Sequence, residues 1–356
     1  MKKILFAFTA VAMLLASCSK EDDSNGNRSA YDEDRPVGWA SENGVTTGSG
    51  DQNPVTVTTR EDLISALNGT DPQTIYVQGT ISFEGVCIIE GAANKTVYGL
   101  PGSVLLNPIH SDDTLTSGIL TLLNCHNIIL RNLTFKSAGA YDIDGFDNLM
   151  LKGSHHVWVD HCDFQDGVDG NFDIVSGSDN ISVTWCRFRY LIQPWAGGEG
   201  GNDRHCNSNL VGSSDKTAAT DSTHLNVTFA NCWWDEGCSE RMPRMRFGKA
   251  HVYNCLFTCS GNLYCIGAGY ACNIYAENNA FVDVNNPWSL YATKTGYTDY
   301  NITMTGNIGA ADTAAKSGNA EYFVPTYNYK KYEASKVQKV VSNSENGAGA
   351  TILIKR

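Results

Sequence analysis

The architecture of this chain can be inferred from one segment, Val157-Trp158-Val159-Asp160-His161-Cys162-Asp163-Phe164, because its pattern returns along the sequence. In each copy a β-branched, alternating run leads to a cysteine, and an aromatic residue follows two positions later. The cysteines of these copies are Cys162, Cys186, Cys232 and Cys255, and a fifth copy carries Asn279 instead. A short strand and a fixed turn that repeat about every 23 residues are typical of stacked coils.

The repeat predicts an all-β fold, a single-stranded right-handed parallel β-helix. Coils of this kind stack about 4.8 Å apart, so residues at equivalent positions form ladders along the axis. We expect the cysteines to form one inward ladder and the aromatic residues a second one, which contains Phe164, Phe188, Trp234, Phe257 and Phe281. The 46-residue step from Cys186 to Cys232 is interpreted as two coils. A short amphipathic helix over residues 60–67 is expected to cap the open N-terminal end of the stack.

The twelve cysteines of the sequence would also allow disulfides or a zinc site. The ladder favours a third interpretation, in which small thiols pack as weakly polar groups in a dry core. No pair among the clustered cysteines has the two-residue spacing of a zinc knuckle. Disulfides remain open for four of the residues, Cys238, Cys259, Cys265 and Cys272.

The N-terminus is predicted to be an export signal. Two lysines precede an apolar run, Ile4 to Leu15, that is too short to span a bilayer. Leu15-Ala16-Ser17-Cys18 resembles a bacterial lipobox, in which Cys18 becomes the acylated first residue. The acidic residues that follow resemble the surface-export tag of Bacteroidetes lipoproteins. These features predict an outer-membrane lipoprotein at the cell surface, with 1–17 as signal, 18–36 as flexible tether and 37–356 as the β-helix domain.

Charge restricts the choice of ligand. With a formal net charge of −12, the protein is not expected to bind nucleic acid, and it would repel an acidic polymer unless a local cation intervened. One strongly basic run, Glu240-Arg241-Met242-Pro243-Arg244-Met245-Arg246, contrasts with this background. Guanidinium groups match the geometry of carboxylates, so the run favours a polyanionic sugar acid as ligand. In a strand, Arg244 and Arg246 would fall on the same face.

Several motifs, in order along nearly the whole mature chain, resemble polysaccharide lyase family 1, the pectate lyases. They include Gly38-Trp39-Ala40, Val77-Gln78-Gly79-Thr80-Ile81, Asn127 to Leu133, Val157 to His161, and the Arg-x-Pro-x-x-Arg run over 241–246. The resemblance implies a monomeric enzyme that cleaves α-1,4-linked galacturonan, a pectic polysaccharide, by calcium-dependent β-elimination. In that reaction a base removes the ring proton next to the carboxylate, the neighbouring glycosidic C–O bond breaks, and 4,5-unsaturated products result.

The resemblance also implies a metal site. Carried over by position, the ligands of Ca²⁺ would be Asp147, Asp169 and Asp173. Three carboxylates this close would repel one another unless they shared a hard cation, and ligation by oxygen alone favours Ca²⁺. A fourth family position is Gly145 here, and either Asp144 or a water molecule is expected to take its place.

The same comparison assigns the basic residues. Arg241 matches the base of the family, a role that rests on the resemblance because an arginine pKa normally exceeds 12. Arg244 and Arg246 would bind a substrate carboxylate. Trp195, in a glycine-rich loop, is expected to stack on a sugar ring.

One position departs from the family. The position of a lysine that pairs with the substrate carboxylate is Asn207 when counted back from Leu210-Val211-Gly212 and Gln193 when counted forward from Asp173. We assign Asn207 to substrate binding. Either a neighbour such as Arg204 or His205 supplies the missing cation, or the enzyme binds a partly methyl-esterified chain. Three alternatives therefore stay open: a calcium-independent pectin lyase, a β-helical hydrolase with paired aspartates, and a non-catalytic surface glycan-binding protein.

Overall fold

The computed structural model of the protein describes residues 34–292, 298–320 and 322–354. The predicted signal peptide, Cys18 and nearly all of the predicted tether lie outside the described residues. No helix in the described ranges is both long and apolar enough to cross a bilayer. Within these ranges 27 strands, numbered in chain order, form three sheets.

Sheet 1 has eleven strands and the other two sheets have eight each. Sheet 1 contains β1 (Val55–Val57), β2 (Gln73–Val77), β5 (Ala93–Gly99), β8 (His126–Arg131), β11 (His155–Asp160), β14 (Asp179–Thr184), β17 (Asn226–Ala230), β20 (Lys249–Tyr253), β23 (Asn273–Glu277), β26 (Tyr300–Thr305) and β27 (Thr313–Ser317). Sheet 2 contains β4 (Cys87–Glu90), β7 (Leu120–Leu123), β10 (Leu149–Lys152), β13 (Phe172–Val175), β16 (Leu210–Val211), β19 (Arg244–Met245), β22 (Ile266–Ala268) and β25 (Trp288–Leu290). Sheet 3 contains β3 (Thr80–Ser82), β6 (Val104–Leu106), β9 (Thr134–Lys136), β12 (Asp163–Gln165), β15 (Arg187–Arg189), β18 (Trp233–Trp234), β21 (Leu256–Phe257) and β24 (Ala280–Phe281).

Each full coil contributes one strand to sheet 2, then one to sheet 1, then one to sheet 3. Neighbouring strands are parallel, as in the β11–β14, β12–β15 and β10–β13 pairs, whereas β27 folds back antiparallel on β26. This is the predicted parallel β-helix, and the prediction is confirmed. The core is the interior that the three sheets enclose.

Both predicted ladders are present inside this core. The registers Asp163↔Arg187, Arg187↔Trp233 and Trp233↔Leu256 place the four repeat cysteines above one another, and all four are fully buried. Two residues further on, the aromatic rings stack with centroid distances between 4.4 and 5.5 Å. All eleven described cysteines are buried free thiols. Burial raises the pKa of thiols such as Cys186 and Cys255 well above the usual value, which makes them unreactive.

The interpretation of the 46-residue step as two coils is wrong. Strand β14 pairs directly with β17, with Ile181 opposite Val227, so the step is a single coil. The extra residues form two insertions, 190–209 between β15 and β16 and 212–225 between β16 and β17, the latter containing α2 (Ala218–Asp221). Spacing alone does not distinguish two short coils from one coil with long loops.

The predicted capping helix is confirmed as α1 (Arg60–Leu67). The Thr59 hydroxyl caps it by accepting a hydrogen bond from the backbone N–H of Asp62 at 3.2 Å. Leu63 and Leu67 are buried in the same core as the first coils, so the helix covers the apolar interior at that end. Two short 3₁₀ helices, Gly38–Ser41 and Thr114–Thr116, lie outside the coils.

The C-terminal segment packs along the outside of the β-helix. Helix α3 (Ala334–Val341) buries Val337 and Val341 against sheet 3. Upstream of it, the buried carboxylate of Glu277 accepts hydrogen bonds from Tyr329 and Lys331 and lies 3.2 Å from Nε2 of His251. Burial alone would raise the pKa of Glu277, but these hydrogen bonds outweigh it and lower the pKa to about 2. Glu277 thus ties the segment to sheet 1.

Candidate active site

The charged residues singled out in the sequence meet on one side of sheet 2. The loops that lead from sheet 3 into sheet 2 supply Asp147, Asp169 and Arg241, whereas Asp173 and Arg244 lie within strands of sheet 2. Asp147 precedes β10, Asp169 precedes β13, and Arg241 precedes β19. Asn207 and Glu240 form a bridge between two of these loops. Stacking of the coils therefore brings together residues that are far apart in sequence.

The acidic residues form a buried cluster. Asp147 is 3% exposed and Asp173 is 8% exposed. Burial, followed by the charges of Asp173 and Asp169, raises the pKa of Asp147 well above its usual value. The pKa of Asp173 is raised to about 7, chiefly by burial and against the opposing charge of Arg241. Carboxylates with such raised pKa values gain stability from an additional cation.

The donor set of this cluster fits calcium. Asp147, Asp169 and Asp173 offer only oxygen ligands, which hard divalent cations prefer. Across the described ranges no three His, Cys, Asp or Glu side chains form a ready-made metal cage. An ion held here would therefore take further ligands from water or from a bound carboxylate. Asp144, the expected fourth ligand, is exposed to solvent, unlike Asp147 and Asp173.

Arg241 lies beside the acidic cluster. Its backbone adopts the left-handed conformation, with φ of 61°, at the entry to β19. Burial alone would lower the pKa of Arg241, but the charges of Asp173 and Glu240 outweigh it and raise the pKa above the usual value. The Nε atoms of Arg241 and Arg244 are buried and have no hydrogen-bond partner. An unpaired buried donor is unfavourable, so the surroundings of Arg241 and Arg244 are incompletely satisfied in the free protein.

The two arginines of the β19 edge differ in their surroundings. Met245 between them is buried, so Arg244 and Arg246 point outward together, as predicted. The Arg244 guanidinium lies 4.4 Å from the ring centre of Tyr291, a cation–π contact. Arg246 donates from Nε to Asp215 at 2.8 Å and from Nη1 to the carbonyl of Gly212 at 2.7 Å. A substrate carboxylate would have to compete with Asp215 for Arg246.

Asn207, one of the two positions at which the family lysine was expected, is buried among charged side chains. Its amide satisfies its neighbours when the oxygen accepts from Nε2 of His205 at 3.0 Å and from Nη2 of Arg241 at 3.3 Å. The amide nitrogen then donates to Glu240 at 3.3 Å. Asn207 thus contacts both Arg241 and His205. The sequence indicated His205 only as one of several neighbours and gave no indication of Glu240.

Trp195 lies in the 190–209 insertion, over the loop that precedes Asp147. It is 42% exposed, and its indole N–H donates to the carbonyl of Ala138 at 3.0 Å. The His110 ring lies 4.2 Å from the Trp195 ring, centre to centre. Trp195 is therefore a fixed aromatic surface at the side of the acidic cluster.

The chain is similar in sequence to known pectate lyases. A sequence model of a family described as pectate lyase matches residues 1–351. The chain is 30% identical over 295 residues to a probable pectate lyase B of Aspergillus terreus, covering 80% of each chain. It is 32% identical over 275 residues to a pectate trisaccharide-lyase of Thermotoga maritima, covering 73% of this chain and 66% of the relative.

A solved structure shares the fold. A pectate lyase from a Bacillus species, crystallised with trigalacturonate, superimposes with a TM-score of 0.67 at 20% identity. The match covers 89% of this chain and 99% of that chain. Together with the family match over almost the entire sequence, these findings establish that the chain belongs to the pectate lyase family.

Proposed function

We propose that the protein is a pectate lyase that cleaves α-1,4-linked galacturonan by calcium-dependent β-elimination. One observation carries the proposal: two buried carboxylates, Asp147 and Asp173, lie together with the partly exposed Asp169 against Arg241, whose Nε has no partner. A uronate needs both partners, a cation for its carboxylate and a donor beside it. The names of the relatives and the trigalacturonate bound to the Bacillus enzyme support this substrate class.

The arrangement assigns a task to each side chain. Asp147, Asp169 and Asp173 would hold the ion, and bound Ca²⁺ would supply positive charge at the substrate carboxylate. Arg241 and Arg244, whose Nε atoms have no hydrogen-bond partner, would stabilise the negative charge that develops when the ring proton leaves. Such donors act most strongly when they are already in place before the reaction.

The protonation state of Arg241 decides whether it can also be the base. In the free protein the charges of Asp173 and Glu240 keep the pKa of Arg241 above its usual value, so its guanidinium retains its proton. Arg241 would accept a proton only when the neighbouring carboxylates no longer stabilise that charge. We therefore assign Arg241 first to charge stabilisation and, by resemblance to the family, to proton abstraction.

The proposal is tested by incubating purified protein with polygalacturonate and Ca²⁺. Elimination produces a conjugated double bond, which is measured by its near-ultraviolet absorbance. We expect absorbance to rise, to stop when a chelator is added, and to resume when Ca²⁺ is restored. Absence of unsaturated product from every uronic polymer would contradict the proposal and would favour a glycan-binding role.

A second candidate substrate follows from the reduced positive charge of the site. Asn207 is neutral where the family has lysine, and the charge of Arg246 is paired with Asp215. Substrate binding at such a site depends less on the negative charge of the polymer than it would at a site with three unpaired cationic side chains. We propose that the enzyme retains activity on partly methyl-esterified pectin. Initial rates on polygalacturonate and on highly esterified pectin test this, and a strict preference for polygalacturonate would refute it.

We further propose that the protein is anchored to the outer membrane through lipid on Cys18, facing the cell exterior. The Leu15-Ala16-Ser17-Cys18 motif supports this assignment. Labelling with a fatty acid and digestion of intact cells with protease test it. The Cys18→Ala variant should lose both the label and the membrane association, whereas membrane association without label would contradict the lipid anchor.

A further inference from the structure

We propose that His205, held by Asp142, is a positioning residue that orients Asp169 and, through Asn207, Arg241. The inference rests on the proposed function. It adds a residue that fixes the position of the metal-binding carboxylates relative to Arg241. His205 lies at the base of the 190–209 insertion and is 7% exposed. The 190–209 insertion thus contributes a buried side chain to the site.

The contacts of the ring are specific on both sides. Nδ1 of His205 lies 2.6 Å from Oδ1 of Asp142. Nε2 lies 3.0 Å from Oδ1 of Asp169 and 2.9 Å from the carbonyl oxygen of Asp169. Each nitrogen therefore faces oxygen atoms of a neighbouring loop. Carboxylate, imidazole and carboxylate form a continuous chain across the gap between two loops.

Asp142 is itself fixed by the insertion. Its Oδ2 accepts a hydrogen bond from the backbone N–H of Asn202 at 2.7 Å, and its carbonyl accepts from Gly200 at 2.9 Å. Asp142 belongs to the 137–148 loop, which also carries Asp147. The chain Asp142–His205–Asp169 therefore connects the 137–148 loop, the insertion and the loop before β13.

The same ring reaches the arginine. Nε2 of His205 also lies 3.0 Å from the amide oxygen of Asn207, which in turn accepts from Nη2 of Arg241. In relatives with lysine at this position, the lysine would meet the substrate itself. In this chain the shorter side chain of Asn207 does not fill that space, and its amide contacts both His205 and Arg241. A change at His205 should therefore affect Asp169 and Arg241 together.

A purely structural histidine would have a different requirement. To fasten the insertion to Asp142, only the Nδ1 side is needed, and the Nε2 side has no necessary partner. Here the Nε2 side points into the charged cluster and contacts the backbone and side chain of Asp169. Removal of an outer hydrogen-bond partner of a metal ligand typically weakens metal binding by about 10–100-fold.

Two substitutions separate these roles. The glutamine amide of His205→Gln reaches towards the place of Nε2 and preserves a donor for Asp169 and Asn207. The shorter asparagine of His205→Asn reaches towards the place of Nδ1 and preserves only the contact with Asp142. Ca²⁺ affinity is measured by calorimetry without substrate, and kcat and KM are measured separately with polygalacturonate. His126→Asn, at an exposed histidine that stacks on His155, is the matched control.

We expect His205→Asn to weaken Ca²⁺ binding at least about tenfold and to lower kcat, while His205→Gln stays close to wild type. An equal loss in both variants at unchanged melting temperature also supports positioning by the whole ring. Unchanged affinity in both variants, a greater loss in His205→Gln, a loss that parallels a lower melting temperature, or wild-type protein that binds no Ca²⁺ would overturn the inference. Absence of unsaturated product from wild-type protein would instead refute the proposed function.

Discussion

Replacing Arg241 by alanine should reduce kcat about a thousandfold while the β-helix stays folded. The magnitude follows from the position of the guanidinium in a site that is partly shielded from water. A positive charge about 4 Å from a developing negative charge, at an effective dielectric constant of about 20, contributes about 4 kcal/mol. Each 1.4 kcal/mol, approximately, corresponds to a tenfold change in rate. Nε of Arg241 has no hydrogen-bond partner in the free protein. The Arg241→Ala substitution therefore deprives no protein acceptor of a hydrogen bond from Nε.

The substitution should also change how stability depends on pH. The charge of Arg241 lowers the pKa values of Asp147 and Asp173, which burial raises. A carboxyl group with a raised folded-state pKa, such as Asp173 with a pKa of about 7, favours folding at low pH and loses that contribution as pH rises through the folded-state pKa. Without Arg241 the loss becomes larger, so the melting temperature of Arg241→Ala should fall below wild type most clearly above pH 7, approximately.

The assay is initial rate against substrate concentration at saturating Ca²⁺, with a melting curve for each variant. Arg241→Lys keeps the charge but removes the planar donor group, and it should retain only part of the lost activity. Arg189→Ala, which breaks an ion pair with Asp163 on sheet 3, is a control that should leave kcat unchanged. A value of kcat for Arg241→Ala within about tenfold of wild type would refute the reasoning, because the charge would then contribute little more than about 1.4 kcal/mol.

Three further predictions follow from particular contacts. Asp215→Asn should free Arg246 and lower KM for polygalacturonate at unchanged kcat in initial-rate measurements, whereas a higher KM would show that the pair orients Arg246. Glu277, with its pKa lowered from 4.5 to about 2, stabilises the fold above pH 4.5, and this contribution of about 3 kcal/mol is lost as pH falls towards 2. Melting curves of Glu277→Gln should therefore converge with those of wild type in acid, and a constant difference would contradict the assignment. Trp234→Ala should lower the free energy of unfolding by about 3–5 kcal/mol in denaturant titrations, whereas Trp195→Ala should leave it unchanged and raise KM. The reverse pattern would contradict the assignment of Trp234 to the core and of Trp195 to substrate binding.

The fold was predictable because the residues that repeat, cysteines and aromatic residues, are types that pack in a protein interior. Cysteines and rings such as Cys162 and Phe164 recur at one period, and inward ladders are the physical consequence of that period. The length of the coil between Cys186 and Cys232 was not predictable by counting. Insertions add residues without changing the strands on either side, so spacing could not reveal them.

The site was predictable only in part. The side-by-side position of Arg244 and Arg246 follows from strand alternation alone. The convergence of Asp147, Asp169 and Asp173 required the resemblance to a known family, since Asp147 lies one coil before Asp169 and Asp173. The pairing of Arg246 with Asp215 joins two elements whose approach depends on a loop conformation. Local sequence carries no signal for such contacts.

The most direct test of the account is the fate of water oxygen during cleavage. Purified protein with Ca²⁺ would cleave polygalacturonate in heavy-oxygen water, and the products would be examined by mass spectrometry. β-Elimination breaks the glycosidic bond without adding water, so products analysed before their reducing ends exchange oxygen with solvent should be unsaturated and free of heavy oxygen. Saturated products that carry one heavy oxygen for each broken bond would show hydrolysis and would contradict the account.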